Sequence, residues 1–139
     1  MDINFSTKTS VRVRYGETDQ MGYCYYGNYA QYFEIGRVEA MREVGMSYKQ
    51  LEEQGVMLPV SEFTVKYIRP ALYDDLLWIT TTISSLNGAR LVFLYEIHNE
   101  RHELLSKAET TLIFVDKKNM RPTKPPQEFL NLITKCCEQ

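Results

Sequence analysis

Histidine is almost absent from this sequence of 139 residues, which contains only His98 and His102. Histidine is the side chain most often used as a general base, so its scarcity restricts the chemistry that the chain can perform. Both histidines lie around one strand end and turn, far from the other polar motifs, and we expect neither to be catalytic. An acid, base or nucleophile must then be a carboxylate, tyrosine, lysine or cysteine.

Cysteine is also rare, and the three thiols are Cys24, Cys136 and Cys137. An odd number of thiols, two of them adjacent, argues against the disulfide-stapled fold of a small secreted protein. The spacing of the cysteines and histidines matches no zinc site. The first ten residues lack the charged and then apolar pattern of a signal peptide. We therefore expect reduced thiols and a cytoplasmic protein.

Long apolar runs and an excess of one charge are absent as well. No run approaches the ~20 residues that a membrane-spanning helix needs. The formal net charge of −2 provides no basic surface for nucleic acid. Phosphate-binding and dinucleotide-binding glycine patterns and the G-x-S-x-G motif of serine hydrolases do not occur. What is present is an ordinary globular composition, 44% hydrophobic and 24% charged, with a length that predicts one domain over residues 1–139.

One long helix is predicted from the apolar spacing that follows Asn28. The apolar stripe at helical spacing consists of Tyr29, Phe33, Gly36, Ala40 and Val44. Asn28 and Gln31 form a capping-box pattern at its start, and Gly45 provides a C-terminal stop. Because a glycine inside a helix costs about 1 kcal/mol relative to alanine, we expect Gly36 to allow close approach of the helix to a sheet.

Most of the remaining chain is predicted to form strands. Alternation of apolar and polar residues predicts strands at residues 10–15, 60–69, 76–86, 91–97 and 104–115. A hairpin is predicted at Asn87-Gly88, a short helix between a Ser47 and Gln50 capping box and Gly55, and a closing helix at residues 128–137. This order predicts an α+β fold in which the long helix covers one face of an antiparallel sheet. The sheet has open edges that a second subunit would protect, so we expect at least a dimer.

The loop before the long helix combines an acid with backbone donors. The N–H groups around Tyr26, Gly27 and Asn28 lie at the positive end of the helix, where they can hold an oxyanion. Asp19, eight residues before Gly27, could reach the same spot and either attack a carbonyl or deprotonate water. From these residues alone a plainer interpretation stays open, in which residues 17–19 form a polar turn and Asp19 accepts local amides.

Other residues of this loop also have two interpretations. Cys24 could be a nucleophile, but no histidine lies near it in the sequence to generate the thiolate, so we expect it to pack in the loop. Tyr15 and Tyr25 either line a pocket or pack in the core.

The same segment resembles a known enzyme family. Residues 15–39 follow the pattern Y-x-E-T-D-x-x-G-x-x-Y-Y-G-N-Y-x-x-Y-F-E-x-G-R-x-E, which is similar to the first segment of the 4-hydroxybenzoyl-CoA thioesterase and acyl-CoA thioester hydrolase family. The stretches KYIRPALYDDLL at 66–77 and VDKKNMRPTKPP at 115–126 resemble its second and closing segments. The resemblance extends over nearly the whole chain.

This resemblance implies the hotdog fold, in which an antiparallel sheet wraps around a long central helix. It also implies hydrolysis of an acyl-CoA thioester in a cleft between the subunits of a homodimer or homotetramer, without a metal or organic cofactor. Asp19 matches the family's catalytic aspartate, which acts as nucleophile or general base. The family's oxyanion donor is a backbone N–H at the helix start, here that of Tyr26 and less directly Gly27. Some relatives have histidine in place of Tyr26, so Asp19 here has less side-chain help.

Substrate contacts are predicted from the chemistry of CoA, whose phosphates attract basic residues. The predicted substrate-binding residues are Tyr15, Tyr25 and Asn28 near the helix start, and Lys66, Arg69 and Arg90 near strand ends. Three other functions stay open: a non-catalytic acyl-CoA or acyl-carrier-protein binding module, an acyl-carrier-protein thioesterase, and a hotdog dehydratase or hydratase. The last typically needs a histidine beside its acid, which this loop lacks. Neither acyl chain length nor aryl preference is predicted.

Overall fold

An antiparallel sheet of five strands carries one long helix on its inner face. The computed structural model describes residues 1–138, so the last residue of the predicted domain, Gln139, lies outside the described residues. The elements in chain order are β1 (Asp2–Arg12), α1 (Tyr29–Val44), α2 (Tyr48–Glu53), β2 (Val56–Met57), β3 (Val60–Tyr67), β4 (Leu76–Asn87), β5 (Arg90–His98), β6 (Leu104–Ile113), β7 (Val115–Asp116) and α3 (Gln127–Cys137). Short 3-10 turns occupy Tyr15–Glu17 and Tyr26–Asn28.

The strand order of the sheet is β1-β4-β5-β6-β3, and every neighbouring pair is antiparallel. β4, β5 and β6 are consecutive and form a meander, whereas β1 and β3 are added at its two edges. The short strands β2 and β7 form a separate antiparallel pair. The α+β prediction is therefore confirmed, with β1 and β3 as the open edges.

The first strand differs from the prediction in its bounds. It begins at Asp2 rather than at residue 10, and it ends at Arg12 rather than at residue 15. Its N-terminal half alternates in burial, but threonine occupies an inward position at Thr7. Because that inward residue is polar, the apolar alternation that marks a half-buried strand is weak in the sequence.

The long helix α1 lies against the sheet through the predicted apolar stripe, whose five residues are all buried. A Cβ atom added at Gly36 would lie 2.9 Å from Cγ2 of Ile79 and would also meet Oγ1 of Thr81 on β4. Such close contact between helix backbone and strand explains glycine at this position. Gly45 ends the helix with a left-handed φ of 113°, as predicted.

The predicted capping box at the start of α1 is wrong. Asn28 has helical backbone angles (φ −78°, ψ −16°) and its side chain makes no capping bond. The 3-10 turn at Tyr26–Asn28 already has a helical trajectory, so Asn28 lies inside the helical segment rather than in front of it. The second predicted box is confirmed: Ser47 Oγ accepts from the N–H of Gln50 at 3.2 Å, and Gln50 Oε1 accepts from the N–H of Ser47 at 2.8 Å.

Strand β3 is poorly covered, although it contains large apolar residues. Of its residues only Val65 is half-buried and the rest are exposed, including Phe63 at 40% and Tyr67 at 45%. The inner face of β3 still touches α1, since the rings of Phe33 and Phe63 lie 5.9 Å apart. Among residues 1–138, no helix is both long and apolar enough to cross a membrane.

Candidate active site

Asp19 begins a tight turn that folds the loop back on itself. The backbone N–H of Asp19 donates to the carbonyl of Tyr23 at 2.9 Å, and the N–H of Gly22 donates to the carbonyl of Asp19 at 3.0 Å. Gly22 has a left-handed φ of 80°, which a side chain would strain. The turn is held in place because the N–H of Cys24 donates to the carbonyl of Ala71 at 2.7 Å.

Only one of the two carboxylate oxygens of Asp19 accepts hydrogen bonds in this turn. Oδ1 accepts from the N–H of Met21 at 2.9 Å and from that of Tyr23 at 3.3 Å. Within residues 1–138, Oδ2 accepts no hydrogen bond. The polar-turn interpretation therefore describes Oδ1 correctly, while Oδ2 is left available for chemistry.

The start of the helical segment presents backbone donors. Within the described part of the chain, the N–H groups of Tyr26 and Gly27 have no acceptor, as expected for the first residues of a helical turn. A Cβ atom at Gly27 would lie 2.6 Å from Cε2 of Tyr25. Glycine is therefore needed for the ring of Tyr25 to pack against the turn.

A cavity of about 310 Å³ joins the acid to the helix start. Its wall includes Asp19, Tyr23, Tyr26, Tyr29, Tyr67 and Arg69. The structure thus brings together two of the predicted catalytic residues and one predicted phosphate-binding residue. A second surface cavity, of about 760 Å³, is also lined by Asp19, together with Tyr15.

Tyrosine rings form much of the wall of the smaller cavity. The ring of Tyr67 lies edge-on to those of Tyr29 and Tyr26, with centroids 5.1 Å and 6.4 Å apart, and its hydroxyl donates to the carbonyl of Tyr26 at 3.2 Å. Burial raises the pKa of Tyr29 to about 12, so its phenol is neutral near pH 7. Sequence reasoning did not single out Tyr67 as a site residue; its only signal was its place at the end of β3, just before Arg69 and Pro70.

The other predicted binding residues are not all at the cavity. Arg69 is at its wall but forms an ion pair with Glu103 at 3.0 Å. Lys66 lies in a groove on the outer face of the sheet, and Arg90 is at the start of β5. The strand pairing aligns Tyr67 with Ser106 and Ser106 with Ile97. Arg90 is seven residues before Ile97 along β5, so it lies about 20 Å or more from the cavity end of the sheet.

Three predicted residues of the loop do not line the smaller cavity. Tyr15 is 77% exposed and its ring lies edge-on to that of Tyr73 at 5.5 Å. Tyr25 packs against Tyr26, with ring centroids 4.7 Å apart. The side-chain amide of Asn28 donates to the carbonyl of Glu17 at 2.7 Å, so it supports the loop.

Cys24 is poorly suited to act as a nucleophile. It is buried, and its Sγ lies 3.4 Å from the hydroxyl of Tyr32. Burial raises the pKa of this thiol, which keeps it protonated near neutral pH. Among residues 1–138, no group of three or more His, Cys, Asp or Glu side chains is arranged to hold a metal ion.

Glu17 is a residue that sequence reasoning missed. It is only 8% exposed, and its carboxylate accepts from the backbone of Arg14 and the hydroxyl of Tyr32. Burial alone would raise the pKa of Glu17, but these hydrogen bonds and the Arg14 guanidinium outweigh it and hold the pKa below the ordinary value. The only sequence signal was its place two residues before Asp19 in the E-T-D motif.

Comparisons with known proteins identify the family of this chain. The Thioesterase-like superfamily model matches residues 13–133. The acyl-CoA thioester hydrolase YbgC of Escherichia coli is 37% identical over 120 residues, which is 86% of this chain and 90% of the relative. The acyl-CoA thioesterase YbgC of Haemophilus influenzae is 34% identical over 119 residues, 85% of this chain and 87% of the relative.

A solved structure shows the same fold. The DHNA-CoA thioesterase of Staphylococcus aureus superposes with a TM-score of 0.89 at 32% identity, covering 94% of this chain and 89% of that chain. The chain belongs to the Thioesterase-like superfamily. The predicted hotdog fold and thioesterase class are confirmed.

Proposed function

We propose that this enzyme hydrolyses acyl-CoA thioesters to a free acid and CoA, with Asp19 as nucleophile or general base and the backbone N–H of Tyr26 as oxyanion donor. Gly27 is the second candidate donor. One observation supports the proposal: Oδ2 of Asp19 and the backbone N–H of Tyr26 have no hydrogen-bond partner in the described chain, and both residues line the same cavity. The curated relatives named acyl-CoA thioester hydrolases support the same substrate class.

Two routes use these groups. In the first, Oδ2 of Asp19 attacks the thioester carbonyl, CoA leaves as its thiolate, and water then hydrolyses the mixed anhydride to regenerate the carboxylate. In the second, Asp19 takes a proton from water, which attacks the same carbonyl; the C–S bond then breaks, and the CoA thiolate takes up the proton from Asp19. Both routes place negative charge on the carbonyl oxygen, where the N–H of Tyr26 and the dipole of the helical segment stabilise it.

The thiolate leaving group suits a site that has no histidine beside its acid. A thiolate departs without strong protonation, so the absence of histidine beside Asp19 costs less for a thioester than it would for an amide. The phenol of Tyr29 is not a proton donor of suitable acidity, since burial raises its pKa to about 12. The dehydratase alternative has no such fit, because it would need a histidine beside the acid.

The proposed assembly is a homodimer, which can further form a tetramer. Strand β3 is an edge strand and is exposed except at Val65, so pairing with β3 of a second copy would protect it. The cavity lies where β3 ends, at Tyr67 and Arg69. A second copy at this edge would then close the cleft. We expect the reaction to take place in the cytoplasm.

The test is thiol release from a panel of aliphatic and aromatic acyl-CoA esters and acyl-carrier-protein thioesters. We expect the wild-type enzyme to release thiol and Asp19→Asn to lower kcat by about 10³-fold, because the amide neither attacks nor accepts a proton. Asp2→Asn, an exposed carboxylate on β1, is the matched control and is expected to keep wild-type kcat. Substrate binding without thiol release would instead indicate a binding module, and a near-normal rate for Asp19→Asn would reject its role.

A further inference from the structure

The loop that carries Asp19 and the segment that carries the N–H donors meet at one buried residue. Oε1 of Glu17 accepts from the N–H of Arg14 at 2.8 Å and from the hydroxyl of Tyr32 at 2.9 Å. The main-chain oxygen of Glu17 accepts from the N–H of Tyr25 at 2.8 Å and from Nδ2 of Asn28 at 2.7 Å. Four donors from the β1 exit, the 3-10 turn and α1 therefore converge on one residue.

These donors lie next to the residues of the proposed site. Tyr25 and Asn28 directly flank the two residues whose N–H groups lack acceptors, Tyr26 and Gly27. Glu17 itself precedes Asp19 by two residues, and the intervening Thr18 pairs with Cys24 in an antiparallel bridge. The separation between the carboxylate and the N–H groups thus depends on bonds that end at Glu17.

Glu17 cannot serve the substrate directly from this place. It is 8% exposed, and it lines neither of the two cavities that Asp19 shares. Its carboxylate is fully used by groups of the protein: Oε2 faces the guanidinium of Arg14 at 3.4 Å. The bond from the Tyr32 hydroxyl is buried and those from the N–H of Arg14 and Nδ2 of Asn28 are part-buried. An acceptor with several such donors keeps its neighbours in one arrangement, because a donor that loses its bond away from water stays unsatisfied.

We propose that Glu17 is a positioning residue, which holds the N–H groups of Tyr26 and Gly27 at the reacting distance from the Asp19 carboxylate. This inference rests on the proposed function of the site. It assigns to Glu17 an effect on the transition state rather than on substrate affinity, because a displacement of about 1 Å between catalytic groups can cost about 100-fold in rate.

The test compares Glu17→Ala and Glu17→Gln with the matched control Glu53→Gln, an exposed glutamate of α2. Glu17→Ala removes the carboxylate that accepts from Arg14 and Tyr32, while the main-chain oxygen that accepts from Tyr25 and Asn28 remains. Because the Asp19 loop then loses its side-chain bond to α1, we expect kcat to fall by about 100-fold. The Kd for a thioether analogue of the substrate, which lacks the carbonyl, should stay close to that of wild type. Glu17→Gln keeps Oε1 and should retain most of kcat, and Glu53→Gln should be indistinguishable from wild type.

Tyr32→Phe provides an independent variant if Glu17→Ala does not fold. It removes only the hydroxyl that donates to Glu17, and we expect about 10-fold lower kcat with unchanged analogue binding. A folded Glu17→Ala or Tyr32→Phe enzyme with wild-type kcat would overturn the positioning role, as would equal loss of kcat and analogue binding. A wild-type enzyme that releases no thiol would contradict the proposed function itself, so the two failures are distinguishable.

Discussion

At the scale of single residues, Gly27 is constrained by an aromatic neighbour rather than by its backbone angles. A Cβ atom at this position would approach Cε2 of Tyr25 to 2.6 Å and Cδ2 to 3.2 Å. We therefore expect Gly27→Ala to displace either the ring or the turn and to lower kcat by about 10-fold, since the N–H groups move with the turn. Steady-state thiol release measures the effect.

A double-mutant cycle isolates the cause of this loss. In a Tyr25→Ala background the ring is gone, so adding Gly27→Ala should cost little further activity. If Gly27→Ala is equally damaging with and without the ring, contact with Tyr25 is not the reason for glycine here.

Glu17 also gives a pH prediction at this scale. Its pKa in the folded protein lies below the ordinary value of 4.5, so its ionised form stabilises the fold above that pH. This contribution is lost as the pH falls through the lowered folded pKa. Thermal unfolding between pH 7 and pH 2 should therefore show a smaller acid-induced loss of Tm for Glu17→Gln than for wild type, and parallel curves would contradict it.

Some residues of the candidate site could be predicted from the sequence and others could not. Asp19 could be proposed from the sequence, because an acid before a helix start, in a family-like motif, has a chemical meaning that the sequence shows. Glu17 and Tyr67 could not, since their importance comes from burial and from contacts with residues distant in the chain. Arg90 was chosen for its charge alone, and a charge near a strand end does not reveal which end of the sheet it occupies.

At the scale of secondary-structure elements, helix α1 lies so close to β4 that Gly36 has no room for a side chain. We expect Gly36→Ala to destabilise the fold by about 1–3 kcal/mol, because overpacking against Ile79 and Thr81 outweighs the gain of about 1 kcal/mol in helix propensity. Urea unfolding at constant m-value measures the difference. Glu43→Ala, an exposed position on the same helix, is the control and should change stability by no more than about 0.5 kcal/mol. A Gly36→Ala protein at least as stable as wild type would contradict the prediction.

Element bounds could be predicted where the local signal was strong. Gly45 ended α1 and the Ser47–Gln50 box began α2, because both features act within a few residues. The cap assigned to Asn28 is wrong because Asn28 lies inside the helical segment. Its side-chain amide donates instead to the carbonyl of Glu17, eleven residues away. A tertiary contact of this kind has no local sequence pattern.

At the scale of the whole molecule, the sequence order predicted an antiparallel sheet but not which strands are neighbours. The meander from β4 to β6 follows from consecutive strands and short turns. The placement of β1 beside β4 and of β3 beside β6 depends on long-range pairing, which the strand patterns do not encode. That placement makes β3 an edge, and the exposure of Phe63 and Tyr67 then gives this edge an apolar surface.

An exposed apolar edge strand predicts self-association. We expect light scattering to give at least twice the chain mass of 16.3 kDa, and Tm to rise with protein concentration, because subunit binding stabilises the folded chain by mass action. Thr64→Lys, in the middle of β3, would add a positive charge to the edge strand of each copy and should weaken the dimer, more so at low salt. Thr64→Val is the matched control.

The proposed dimer should also affect activity, because the cavity lies at the end of β3. If the second copy closes the cleft at the end of β3, Thr64→Lys should lose thiol release in proportion to the fraction of monomer, although it alters no residue of the cavity wall. Raising the protein concentration or the salt should then restore both mass and activity together. A wild-type chain that is monomeric at 16.3 kDa and fully active would show that a single copy completes its own site.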